Sequence, residues 1–145
     1  MGKVIAIGIS SKKGNKISSV NDVKVVKGKG IINDRKFEEN NHKERQITLI
    51  EIENINHFNN LSKTKIEPVD FRRNIITKNI NLNDLVGKEF NIGEVKLKAH
   101  DLCRPCKYLE DKLKQNNLVK EFLHKGGLRC EILSSGKIIV GDIIK

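Results

Sequence analysis

The chain has 145 residues, and its 28 Lys and Arg side chains against 18 Asp and Glu give a formal charge of +10. That length forms a single domain, residues 1–145, with a core that needs no disulfide staples, and no apolar run approaches the ~20 residues of a membrane-spanning helix, so no membrane partner is expected. The N-terminus lacks the apolar stretch of a signal peptide, and three cysteines, two of them spaced Cys-x-x-Cys, do not make a secreted disulfide scaffold; the expected compartment is the reducing cytoplasm, with thiols free, metal-bound or catalytic.

In chain order, residues 3–10 are rich in Val and Ile and alternate weakly, which predicts a strand. Residues 11–16 contain Gly14-Asn15 and predict a turn or loop; residues 23–27 predict a short strand stopped by Gly28-Lys29-Gly30. Residues 33–44 are polar and without period, a loop expected to lie over something. Residues 46–50 are β-rich, and residues 51–60 carry Ile52, Ile55 and Phe58 at the spacing of a short amphipathic helix. Residues 71–77 predict a strand, 81–84 a turn into a brief helical piece, and 88–91 and 94–99 two strands around Gly93. Residues 107–124 are the most helical stretch, broken near Asn116-Asn117 and ended by Gly126-Gly127; residues 128–133 and 138–144 are expected to form a closing hairpin around Ser134-Ser135-Gly136. Many short strands with two or three short helices indicate a strand-rich, β-barrel-like α+β domain.

The positive charge suits nucleic acid, a membrane surface or a phosphorylated small molecule. Of the 28 basic residues 22 are Lys and six are Arg (Arg35, Arg45, Arg72, Arg73, Arg104 and Arg129), so much of the charge reads as a solvated lysine coat. With one Tyr and no Trp there is no basic stripe interleaved with aromatics, and nucleic acid is not the expected partner. The six arginines stand out because a planar five-donor fork does what a lysine cannot.

Cys103-Arg104-Pro105-Cys106 is the candidate reactive centre. Dithiol redox chemistry uses a strand leading into Cys-x-x-Cys at a helix start, but thioredoxin-like folds need a downstream cis-proline and no proline follows Pro105. A zinc site can draw on His100, Cys103, Cys106, His124 and Cys130, although the His124-x5-Cys130 half is loosely spaced and Cys130 fits an inward-facing strand position. A single thiolate beside Arg104 and Lys107 is the third reading, able to ligate a metal or carry sulfur as a persulfide. Two small buried thiols with no chemistry are the fourth.

A longer pattern surrounds this run. Phe71-Arg72-Arg73-Asn74-Ile75, Leu85-Val86-Gly87, Ile92-Gly93-Glu94-Val95, Cys103-Arg104-Pro105-Cys106, Gly126-Gly127-Leu128-Arg129 and Gly141-Asp142 follow in an order that closely resembles the MOSC domain, the C-terminal module of molybdenum cofactor sulfurases, which also occurs as short stand-alone proteins. Upstream, Asn33-Asp34-Arg35 resembles the family's Gly-Asp-Arg segment, with Asn33 where Gly is usual, and Arg45-Gln46-Ile47-Thr48-Leu49-Ile50 resembles its Arg-Gln strand. The resemblance implies a barrel-like MOSC-type fold, a molybdenum cofactor (molybdopterin) and one essential cysteine, aligned with Cys106, either as molybdenum ligand or as persulfide acceptor. It makes Arg35, Arg72 and Arg73 candidate clamps for the cofactor's phosphate, Arg45 with Gln46 candidates for pterin edges or phosphate, and Asn74 a candidate donor to an oxo group or pterin carbonyl; Asn74 and Arg45 equally suit a structural role in bends.

Two functions follow from the resemblance: oxygen-atom removal from small N-hydroxylated substrates with an external electron-transfer reductase, or sulfur carriage in cofactor maturation with a cysteine desulfurase in trans. The sulfurases' pyridoxal-phosphate domain has no room in this chain. The alternative is a non-enzymatic, zinc-stabilised or basic binding module.

Overall fold

The computed structural model describes residues 1–12, 16–104, 107–115, 117–122 and 124–145. Eleven short strands and three helices follow the expected α+β order: β1 (Gly2–Ile9), β2 (Ser18–Val20), β3 (Asp22–Val26), β4 (Gly30–Ile31), β5 (Ile47–Glu51), α1 (Ile52–Ser62), β6 (Ile75–Lys78), β7 (Glu89–Ile92), β8 (Val95–Leu102), α2 (Lys107–Leu113), α3 (Leu118–Glu121), β9 (Leu128–Ile132), β10 (Gly136–Ile139) and β11 (Ile143–Ile144). Seven of the strands close on themselves in the order β1-β11-β7-β8-β9-β5-β6 and back to β1, with β2 added to the end of β1. Among the described residues only β5 and β6 run parallel, because α1 carries the chain between them; the other pairs are antiparallel.

Alternation along the strands fills the barrel. Val4, Ile7, Ile47, Leu49, Ile75, Phe90, Leu97, Leu128 and Ile132 form one buried cluster with Cys130. The weak alternation of residues 3–10 has a structural cause: the register of β1 on β6 shifts between Val4 and Ala6, so Val4 and Ile7 join the inner cluster while Ile5 and Ala6 pack outside. A second core lies outside the wall, where α1 lays Ile55 and Phe58 against Ile50, Ile76, Phe71 and Phe122. The rings of Phe58 and Phe71 meet edge-on at 6.0 Å, and Phe122 sits 5.2 Å from each.

Two expectations from the sequence are corrected. Residues 71–77 are not one strand. Pro68–Phe71 is a turn of 3-10 helix, Arg72 caps it in the left-handed conformation (φ +65°) by donating its N–H to Val69 O, and β6 starts only at Ile75. The closing hairpin also does not form. The turn serines are spent elsewhere, Ser134 Oγ on Lys96 N and Ser135 Oγ on Lys27 N, which leads β10 away from β9 to pair with β3. β11 then closes the barrel against β1 and β7.

Gly126-Gly127 does more than follow the helices. A Cβ on Gly127 (φ +101°) collides with the carbonyl oxygen of Leu49, and one on Gly126 lies 2.7 Å from Cys103 O. Gly127→Ala is therefore expected to cost ~3 kcal/mol or more, whereas Gly28→Ala, also at positive φ but with open space around it, costs ~1 kcal/mol. Urea denaturation of both variants measures the difference; equal costs contradict the close approach.

Candidate functional site

The barrel's alternation turns Thr48 of β5 and Arg129 of β9 to the outer face, directly opposite one another in register. Around them lies a cleft of about 320 Å³ lined by Lys36, Glu44, Arg45, Thr48, Arg73, Cys103, Arg104 and Arg129. A recess beside it, too tight to admit a water molecule, shares Lys36 and Arg73 and adds Gly8, Ile17, Asp34, Arg35, Arg72 and Asn74. All six arginines of the chain line one or both cavities, together with a single lysine among the described residues. The carboxylates among the lining residues are Asp34 and Glu44.

Three local devices hold these side chains. The first is the loop between β4 and β5, which lies over the barrel as expected. Asn33 turns it in the left-handed conformation (φ +74°), one that Asn tolerates nearly as well as the Gly usual there. Asp34 is buried and accepts the N–H of Ser10 at 3.0 Å through Oδ1 and that of Lys36 at 3.4 Å through Oδ2. Asn41 Nδ2 donates to Lys29 O and Lys36 O, closing the loop on β4. Asp34 is thus a structural anchor that sets Arg35 and Lys36 in the cavity wall.

The second device is Asn74. Its Oδ1 accepts both the backbone N–H and the hydroxyl of Thr48 at 3.1 Å, and its Nδ2 donates to Gly8 O at 3.1 Å. Its own N–H donates to Thr48 Oγ1 and its carbonyl accepts from Gly8 N. Asn74 therefore ties β5 to β1 at the point where the chain enters β6, the role in a bend that the sequence allowed. Arg72 and Arg73, immediately before it, are held in place by this knot. Gln46 serves similarly: it is buried, and its Oε1 accepts from Ile132 N at 2.8 Å.

The third is the glycine pair. Arg73 Nε donates to Gly126 O at 3.0 Å, and the N–H of Cys103 donates to Gly127 O at 2.7 Å. Across the cleft Arg129 Nε donates to Glu44 O at 3.0 Å. Arg45 reaches Glu38 only at 3.9 Å and is exposed, as is Arg104.

Of the residues singled out in the sequence, Arg35, Arg72, Arg73 and Asn74 meet in the recess, Arg45 stands in the cleft, and Gln46 lies behind it in the wall. Cys106 lies outside the described residues; its neighbour Arg104 lines the cleft. Cys103 is buried at the cleft wall. The donors of the zinc reading are split. Cys130 points into the barrel core, where burial, and then Cys103, push its thiol far above the usual range. His100 Nε2 pairs with Glu131 Oε1 at 2.8 Å, and His124 is exposed. Among the described residues no three His, Cys, Asp or Glu side chains gather as a metal site. Lys36, Thr48, Arg104 and Arg129 were not singled out as site residues; the rarity of Arg beside abundant Lys is the signal that marks Arg104 and Arg129.

A family model, MOSC domain, matches residues 33–145. The chain belongs to the MOSC domain family. The barrel is also that of solved relatives: YuaD from Bacillus subtilis superposes with a TM-score of 0.85 at 20% identity, over 99% of this chain and 94% of that one. YiiM from Geobacillus stearothermophilus gives 0.78 at 16% identity over 99% and 74%, and YiiM from Escherichia coli 0.72 at 14% over 100% and 69%. At these identities the likeness is one of fold. No curated protein sequence matches the chain.

A MOSC domain associates at family level with a molybdenum cofactor, and the donor chemistry of this site suits that anionic group. The cavities bring cations together with few counter-charges, and Lys36 registers the excess: burial first, then Arg35 and Arg73, partly offset by Cys103 and Asp34, push its ammonium down from 10.5 to about 8. A different groove, of about 800 Å³ along β1 and β2, holds Lys16, Glu67 and Asp70 and no arginine, so it lacks the charge for such a ligand.

Because Lys36 binds its proton less tightly folded than unfolded, the strain of its charge is present below pH 8 and is relieved as pH rises from about 8 to 10.5. Lys36→Met is expected to stabilise the free protein at pH 7 and to lose that advantage by pH 10, as read from urea midpoints. NMR titration of Lys36 Nζ is expected to give a midpoint near 8 that inorganic phosphate raises; a midpoint above 10, unmoved by phosphate, contradicts the crowded-cation site.

Proposed function

We propose that this MOSC domain binds a molybdenum–pterin cofactor in the arginine-lined cleft and presents the Cys106 thiolate to its metal, for reductive removal of oxygen from a small N-hydroxylated compound. The observation that carries this reading is the gathering of all six arginines, with one lysine among the described residues, around two adjoining cavities. A solvated coat scatters its charges, whereas a terminal phosphate calls for planar bidentate donors in a recess.

Arg73 is the best-placed clamp, since its Nε is fixed on Gly126 O and its remaining N–H donors are aligned by that bond. Lys36 adds a point charge, and Arg35, Arg45 and Arg72 complete the cationic wall. Asn74 and Gln46 hold strand entries with their amide oxygens, so their part is to keep the wall in register. Cys106, two residues beyond the cleft residue Arg104, is the thiol that the sequence pattern selects. When bound, the molybdenum centre supplies the two-electron chemistry, and the electrons come from a separate reductase.

Protein purified from a cofactor-replete host is expected to contain molybdenum and release a fluorescent pterin in equal amounts; stoichiometric zinc without pterin contradicts the proposal and favours the binding-module alternative. Cys106→Ser is expected to abolish reductase-coupled turnover and Cys103→Ser to reduce it only a few-fold, so equal loss from both points to a dithiol or zinc site. Mass spectrometry of the purified chain reads the sulfur-carrier alternative directly: one added sulfur on Cys106, with no turnover of N-hydroxylated compounds, replaces the reductive reading. Arg73→Lys is expected to weaken pterin retention about tenfold; unchanged retention removes Arg73 from the clamp.

A further inference from the structure

The cleft holds more positive charge than the cofactor's terminal phosphate explains. Lys36, Arg45, Arg73, Arg104 and Arg129 face one carboxylate, Glu44. A terminal phosphate carries ~1.5 to 2 negative charges, which leaves about two positive charges over. Two arginines have no part in the clamp described above. Arg104 is exposed where the cleft meets solvent, and Arg129 stands on β9 opposite Thr48. Among the described residues no carboxylate pairs with either. Their segments are tied together by the bond from Cys103 N to Gly127 O, and Arg129 is held in orientation by its Nε bond to Glu44 O. Two arginines kept this way, in a chain that uses lysine for surface charge, form a prepared receptor for a second anion.

Resting on the cofactor reading above, we infer that Arg104 and Arg129 bind an acidic group of the substrate, which makes the substrate class small N-hydroxylated compounds bearing a carboxylate or phosphate. The concave, arginine-lined shape of the cleft favours a small molecule over the acidic face of a protein partner, which a flat patch would meet. The acidic group is set by the guanidiniums, and the orientation of the N–O bond in the cleft is thereby fixed.

The test uses cofactor-loaded protein, its pterin content read by fluorescence in the same sample, and two probes: a neutral aryl amidoxime and its para-carboxylate analogue. Calorimetry at low salt is expected to show the carboxylate binding at least tenfold more tightly, an advantage that shrinks with added salt. Arg104→Gln, at an exposed position, and the double variant with Arg129→Gln are expected to remove that advantage while pterin content stays at the wild-type level. Equal binding of the two probes overturns the inference. Loss of pterin in step with the probe also overturns it, assigning both arginines to the cofactor. Unchanged probe discrimination with slower turnover by the reductase overturns it in favour of docking an acidic protein. Absence of pterin from the wild-type protein is visible before any probe is added and removes the cofactor reading itself, along with the inference that rests on it.

Discussion

The side chain of Asn74 is the knot on which the site depends. A buried amide must find partners, and here it takes the N–H and hydroxyl of Thr48 on one side and the carbonyl of Gly8 on the other. That exchange binds two strands at the entry to a third and leaves Arg72 in a left-handed turn just upstream. A non-glycine residue in that conformation costs ~1–2 kcal/mol, and the packed surroundings of Phe71 and Asn74 hold it there. The consequence reaches the surface: Arg72 and Arg73 line the recess, and Thr48 becomes part of the cleft wall.

The glycine pair acts from the opposite side. Gly127 passes so close to Leu49 O that no side chain fits, and the carbonyls of Gly126 and Gly127 receive Arg73 Nε and Cys103 N. One close approach therefore fixes a cation, the backbone before the Cys-x-x-Cys run, and the start of the strand bearing Arg129. The fold supplies a rigid outer wall, and the charge is gathered on it by loops. The loop that sets Lys36 is held by Asp34, whose carboxylate is divided between the N–H groups of Ser10 and Lys36, and burial there, then Arg35 and Arg73, lower the Lys36 ammonium.

Much of this was legible in the sequence. Period-two stretches located most strands, and the spacing of Ile52, Ile55 and Phe58 located α1. The motif order led to the barrel and to Arg35, Arg72, Arg73 and Asn74, which meet in one recess. What was not legible depends on partners remote in sequence. The run through Phe71 and Asn74 has strand composition, yet Asn74 takes backbone groups that a continuous strand needs. Ser134 and Ser135 look like a hairpin turn, and they bond Lys96 and Lys27, nearly 40 and over 100 residues away. The short β2 and β4 carry no periodic signal of their own. Lys36 looked like one lysine among 22, and only the folded cavity distinguishes it.

The arginine-lined cleft is proposed to hold a molybdenum centre bonded to Cys106. The direct measurement is a crystal structure of the chain from a cofactor-replete host, with anomalous scattering collected on either side of the molybdenum absorption edge. A molybdenum peak is expected in the cleft beside Arg73 and Lys36, within bonding distance of the Cys106 sulfur. A peak elsewhere, or a zinc signal between Cys103 and Cys106 with an empty cleft, contradicts it.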